Sequence, residues 1–169
     1  MRSAFIAATI ALAACAASQS SGPALVPAAA APTLAPLELR LLAGEPWSSQ
    51  AARGRVMVID VWATYCKPCR GSFPKLNRLA ADHPDVVVVG VSVDEDDAVV
   101  EAFLAEVPAT FTIARDPELS VQDPPHTISR LPTVLVVDRA GRVRFRGDEL
   151  PESSYDALPG LVEALLAEP

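Results

Sequence analysis

Apolar residues change their spacing along the chain, and each change marks an element. Leu37, Leu39 and Leu41 alternate with Glu38 and Arg40, the period of a half-buried strand. Gly44-Glu45-Pro46 then makes a turn. Val56-Met57-Val58-Ile59 is an unbroken apolar run, as a central strand covered on both faces requires. A helical period follows from about Cys66 to Ala81, bent at Pro74, which cannot donate a backbone hydrogen bond. Val86–Val93 is the next buried strand. Asp94-Glu95-Asp96-Asp97 opens a helix to about Glu106, its carboxylates suiting the positive end of the helix dipole; taken alone, such a run could also hold a cation. Phe111–Ala114 is a short strand, and Asp116-Pro117-Glu118 has the form of an N-cap with proline at the first helical position. Val134–Val137 and Val143–Phe145 form a hairpin around Asp138-Arg139-Ala140-Gly141, and a last helix runs to about Ala167 with Pro159 at its start or at a kink. Strands alternating with helices, closed by a hairpin and a helix, predict an α/β domain over residues 37–169 with a central mixed sheet flanked by helices.

The part of the chain ahead of this domain has a different character. Arg2 precedes an apolar stretch, Ala4 to Ala14, too short to span a bilayer as a stable helix. Leu12-Ala13-Ala14-Cys15 resembles the bacterial lipobox, which implies a signal peptide over residues 1–14 and a diacylglycerol on the Cys15 thiol. A plain secretory signal that discards Cys15 is the alternative. Residues 15–36 hold no charge and are dominated by Ala, Pro and Ser, so a flexible tether is expected between the lipidated cysteine and the domain. Ala16 carries no signal for retention at an inner membrane, which points to the outer one where the cell has two.

Half of the 169 residues are apolar and the formal net charge is −7, a balance that argues against a nucleic-acid surface. The only local concentration of positive charge is Arg139, Arg142, Arg144 and Arg146; its alternation with Gly141, Val143 and Phe145 predicts the wet face of a strand.

The chemistry centres on Asp60-Val61-Trp62-Ala63-Thr64-Tyr65-Cys66-Lys67-Pro68-Cys69-Arg70, where a buried strand gives way to a helix. Orphan amides and the dipole at a helix N-terminus, with Lys67 beside them, favour a Cys66 thiolate, the species that attacks a disulfide. Cys69, one turn on, is expected to be less accessible and placed to resolve the mixed disulfide. Asp60 is out of place in a buried strand unless its carboxyl is held protonated by desolvation, in which state it can relay a proton to or from Cys69. A strand-end acid, solvated or paired with a lysine, is the other reading.

These residues resemble the Trp-Cys-x-x-Cys site of the thioredoxin superfamily, and most closely its TlpA/ResA-type branch. Arg53-Gly54-Arg55, Pro74, Gly90-Val91-Ser92-Val93-Asp94-Glu95 and Leu131-Pro132-Thr133 extend the resemblance over roughly residues 34–167. It implies a thioredoxin-like fold with an N-terminal strand extension and a central α/β insertion, and an activity as thiol–disulfide oxidoreductase. It implies a cis Pro132 facing the dithiol, with the Leu131 backbone pairing with an extended substrate segment. Trp62, Tyr65, Lys67 and Pro68 would line the substrate site. Three departures stand out: Tyr65 replaces the usual Trp, Ser72 stands where many relatives carry Glu, and Asp60 matches thioredoxin proper where many TlpA-type proteins carry Asn. The match favours Asp60 as the proton relay.

The branch further implies a reductase. It would need no cofactor besides its own cysteine pair and would act as a monomer on protein thiols and disulfides of the cell envelope, with a membrane-borne electron donor. The competing function is copper handling of Sco type, with the two thiolates and His126 as ligands; against it stand the Cys-x-x-Cys spacing and the expectation that His126, like His83, is a loop residue. Two cysteines do not complete a zinc site, and Ala63 stands where a peroxiredoxin needs Thr.

Overall fold

The computed structural model of the protein describes residues 23–148 and 151–169. Cys15 and the signal expected over 1–14 lie outside them. Among the described residues seven strands form one sheet in the order β2-β1-β5-β4-β3-β6-β7. Its centre is β3 (Met57–Trp62), every residue of which is buried. On one side β3 pairs in parallel with β4 (Val87–Ser92), and β4 pairs in parallel with β5 (Thr112–Arg115). On the other it pairs antiparallel with β6 (Thr133–Val137), which turns back into β7 (Val143–Gly147). The N-terminal hairpin of β1 (Glu38–Leu41) and β2 (Pro46–Ser48) extends the sheet beyond β5. This is the mixed sheet that the alternation of elements predicts.

Among the described residues three α-helices pack on it: α1 (Cys69–Asp82), α2 (Asp97–Glu106) and α3 (Pro151–Ala167). Strand alternation turns Val58, Asp60 and Trp62 to one face, and there the helices meet them. Trp62 meets Phe73 of α1 edge to face and Phe103 of α2 at a tilt, each with ring centroids 4.8 Å away. Gly90 in β4 makes room for this cluster: a Cβ there would lie 2.9 Å from Phe111 and 3.1 Å from the Trp62 indole nitrogen. Pro74 and Pro159 both lie inside their helices, so Pro159 does not start the last one.

The acidic run splits into separate anchors. Asp96 caps α2 by accepting from Ala98 N at 2.8 Å. Asp97 binds Arg40 and the buried Arg115, both at 2.7 Å, and those hydrogen bonds, Arg40's foremost, hold its carboxyl below its ordinary range. Asp116-Pro117-Glu118 starts no α-helix. The Asp116 carboxylate does accept from Ser120 N and Val121 N, but it closes only a 3₁₀ turn, Ser120–Gln122, because Pro124 and Pro125 follow and cannot continue a helix.

Two expectations about the ends of the domain are corrected. The arginines around the last hairpin do not share a wet face. Arg139 caps α3 by donating to the carbonyls of Leu165, Leu166 and Glu168. Arg144 is buried, donating to Val26 O at 2.6 Å and lying 2.7 Å from the Glu168 carboxylate and 3.3 Å from Asp138. The tether expected through residue 36 also becomes part of the domain well before that point. Val26 N donates to Arg144 O at 2.7 Å, Leu34 N donates to Gly141 O at 2.8 Å, and Leu34 and Leu37 enter the core. Leucines spaced among small residues supply just enough apolar surface to fix a segment that composition alone marks as free.

Replacing Arg144 by Ala removes the hydrogen bonds to Glu168 and to the Val26 carbonyl, while Glu168 keeps solvent and Asp138 keeps Arg142. The loss costs about 1–2 kcal/mol. The Arg144→Ala protein is expected to show a lower denaturation midpoint, and limited proteolysis should cut first between residues 23 and 34.

Candidate active site

The chain leaves the sheet after Trp62 and turns through Ala63-Thr64-Tyr65 into the cysteine pair. Cys66 N donates to Ala63 O and Cys69 N donates to Cys66 O, each at 3.1 Å. The two cysteines are joined as a disulfide, their Cα atoms 5.4 Å apart. Cys66 therefore precedes α1 instead of opening it, with Pro68 at the N-cap and Cys69 as the first helical residue. Cys66 retains 7% exposure and Cys69 none, so an attack from outside falls on Cys66.

Asp94 fastens this turn to the end of β4. Its carboxylate accepts from Thr64 N at 2.9 Å, from the Thr64 hydroxyl at 2.7 Å and from the Ser92 hydroxyl at 2.9 Å. The register of β6 on β3 sets Thr133 beside Val61, which brings Leu131 and Pro132 to the same end of β3. The Leu131–Pro132 peptide bond is cis, with Leu131 half-buried and Pro132 buried.

On the same side of the sheet as the start of α1 lies Asp60, with no exposed surface. The Tyr155 hydroxyl, reaching down from α3, donates to Asp60 Oδ1. Ser72 Oγ lies 3.5 Å from Asp60 Oδ2 and donates to the Cys69 carbonyl at 2.8 Å. Burial pushes the Asp60 carboxyl up to about 7, while the hydrogen bonds from Tyr155 and Ser72 pull the other way. Burial first, and the neighbouring Asp60 second, push the Tyr155 phenol well above its ordinary range. The acid is thus neither solvated nor paired with a lysine. It is a desolvated group that changes charge near neutrality.

The aromatic residues divide. Tyr65 is 72% exposed and forms the rim beside Cys66, with Lys67 and Pro68 also exposed. Trp62, expected at the substrate site, is fully buried between Phe73 and Phe103, a core residue that supports the turn from below. His126 stays in its loop, where its N–H donates to Asp123 O and its side chain lines a groove with Pro32, Leu34 and Phe145. Among the described residues no three His, Cys, Asp or Glu side chains are grouped to hold a metal ion.

Sequence reasoning missed Tyr155 and the role of Asp94. Tyr155 shares a helical stripe with Leu158, Val162 and Leu165, which marks it as core-facing, but nothing local shows that its hydroxyl meets a carboxyl 95 residues earlier. Ser72, noted only as a missing acid, proves to be Asp60's second neighbour.

The family profile described as Redoxin matches residues 23–160. The thioredoxin-like protein YneN of Bacillus subtilis is 32% identical over 110 residues, covering 63% of this chain and 64% of the relative. The thiol–disulfide oxidoreductase ResA of Oceanobacillus iheyensis is 30% identical over 92 residues, covering 53% of this chain and 47% of the relative. The chain therefore spans less than two thirds of the length of either. A solved structure from Chlorobium tepidum, assigned as thiol:disulfide interchange protein DsbE, superimposes with a TM-score of 0.75 at 29% identity, covering 81% of this chain and 97% of that one.

A carboxyl whose folded-state pKa lies above its unfolded value binds its proton more tightly in the folded protein. Its contribution to stability is present in full at low pH and is lost as pH rises through the folded value. For Asp60 that window runs from the ordinary range of 3.8 up to about 7. The Asp60→Asn variant should match the wild type in stability near the bottom of the window and exceed it above the top, by an amount on the order of 4 kcal/mol. Urea denaturation at a series of pH values measures this; parallel curves would remove the buried ionisation from the account.

Proposed function

Because the chain belongs to the Redoxin family, we propose that it is a thiol–disulfide oxidoreductase of the cell envelope that reduces protein disulfides through Cys66 and Cys69. One observation carries this reading. The two cysteines are bonded to each other, Cys66 keeping a little exposure and Cys69 none, and Ser72 links the Cys69 carbonyl to the buried Asp60 carboxyl.

In the reduced protein the Cys66 thiolate attacks one sulfur of a substrate disulfide, and the departing substrate sulfur takes up a proton. A mixed disulfide now joins Cys66 to the substrate. The Cys69 thiol gives its proton to the Asp60 carboxylate, and the resulting thiolate attacks Cys66 Sγ, breaking its bond to the substrate and releasing the second substrate sulfur as a thiolate that takes up a proton from water. Two electrons have passed to the substrate, leaving the Cys66–Cys69 disulfide seen here. Asp60 is the proton acceptor of the second half, with Ser72 between it and Cys69. The half-buried Leu131 beside cis Pro132 supplies a backbone edge for an extended substrate, and Tyr65, Lys67 and Pro68 supply the rim.

The setting is proposed from the sequence. Leu12-Ala13-Ala14-Cys15 supports lipidation at Cys15 after removal of residues 1–14, with the domain held at a periplasm-facing membrane surface, the outer membrane where there are two. Among the described residues no helix is long and apolar enough to cross a membrane. The protein works as a monomer without a bound cofactor, and a membrane-borne donor restores the dithiol. No specific observation favours the copper-binding alternative.

The test is the reduction potential of a form beginning at Pro23, read by alkylation mass shifts across thiol redox buffers. A value near that of thioredoxin, roughly −270 mV, is expected, whereas one near −120 mV would make the protein an oxidant. The Cys69→Ser variant should accumulate a mixed disulfide with substrate through Cys66, and Cys66→Ser should lose disulfide reduction altogether. If the pair forms no reversible disulfide, the oxidoreductase reading fails.

A further inference from the structure

Asp60 is buried from every side, and what surrounds it is specific. From the strands beside it, Gly90 of β4 and Val134 of β6 stand in register, and neither strand carries an ionisable side chain. From α1 come Ser72 and, beyond it, Cys69. From α3 comes Tyr155, whose hydroxyl donates directly to the carboxylate. The side chain of Tyr155 has a second boundary. It also lines a groove of about 300 Å³ between α1 and α3, with Pro74, Leu158 and Pro159 as apolar neighbours and Lys75, Arg78, Asp82, His83 and Asp156 as charged or titratable ones. Lys75 and Asp156 pair across that groove at 2.6 Å. Tyr155 itself is only 4% exposed. It touches Asp60 through its hydroxyl and also lines the groove.

We propose that Tyr155 is the positioning residue of the resolving step: its hydroxyl orients the Asp60 carboxylate behind Cys69 and keeps it able to accept a proton, while its ring closes the groove between α1 and α3 against water. This rests on the reading of Asp60 as proton acceptor. A carboxylate in an apolar site needs donors to exist as an anion at all. Ser72, whose hydroxyl is 3.5 Å from the carboxylate and closer, at 2.8 Å, to the Cys69 carbonyl, is the weaker donor and leaves Tyr155 as the principal one. The donor is also fixed in direction, because an aromatic ring packed in a core cannot rotate its oxygen away as a serine can.

Tyr155→Phe removes the hydroxyl and leaves the ring that closes the groove. The rate at which pre-reduced protein reduces insulin disulfides is followed against pH for wild type, Tyr155→Phe and Asp60→Asn, and the ¹³C shift of the Asp60 side-chain carbonyl is titrated in parallel. Wild type should show a rising limb near neutrality in both readouts, and Asp60→Asn should show none. Losing one donor to the anion moves the limb of Tyr155→Phe up by about one pH unit, a loss of about fivefold in rate at neutral pH that is recovered in alkali. A uniform loss at all pH values, with the carbonyl titration unmoved, reduces Tyr155 to a packing residue and overturns the proposal. If instead Asp60→Asn keeps the limb, it is the proton-acceptor role of Asp60 that fails, and the carbonyl titration still reports separately whether Tyr155 tunes it.

Discussion

A carboxyl group in the middle of an apolar sheet costs several kcal/mol to ionise unless donors are aimed at it, and in this domain the placing of many other parts follows from meeting that cost. Asp60 occupies the middle of β3, the most enclosed strand. Donors cannot come from neighbouring strands, whose backbone groups are used in pairing. They come from helices laid across the face, Ser72 from α1 and Tyr155 from α3, and so those two helices must pack against each other directly over β3. The same helix that brings Ser72 begins with Cys69. The acid, its donors and the inner cysteine are therefore parts of one junction.

The outer cysteine depends on a different set of contacts. Cys66 lies in a turn between a strand and a helix, with little regular structure of its own to hold it. Asp94 ties the turn to the end of β4 through Thr64, and Trp62 fills the space beneath it among Phe73, Phe103 and Phe111. Rigid support under a sulfur that keeps only a little exposure lets the approach be made by the substrate instead of by the enzyme. Tyr65, standing clear of the surface beside this support, is free to meet a partner.

Much of this was legible in the chain. The unbroken apolar run ending in Asp60 and the Cys-x-x-Cys at a strand-to-helix junction identify the central strand and the redox pair, because each signal is local. What failed was whatever depends on partners far away in sequence. Four arginines in alternation look like a wetted strand face, yet Arg144 is drawn inside by Asp138 and by Glu168, the latter near the far end of the chain. Trp62 looks like a rim residue by resemblance, but its position on the inner face of β3 buries it. Asp116 does cap a turn, and the prolines that follow, not the cap, decide that the turn is not prolonged. Side chains such as Tyr155 are recognisable as core and silent about what their polar atoms meet.

The clamp of Arg144 on Val26 changes a length. A lipid on Cys15 would be separated from the domain by no more than the residues up to Val26, not by all those up to Pro36. At full extension about 3.5 Å per residue allows roughly 40 Å in place of roughly 70 Å. The volume that an anchored dithiol could sweep is then smaller by a factor of about seven. Disulfides lying close to the bilayer would be met often, and those deeper in the aqueous compartment would have to diffuse to the enzyme.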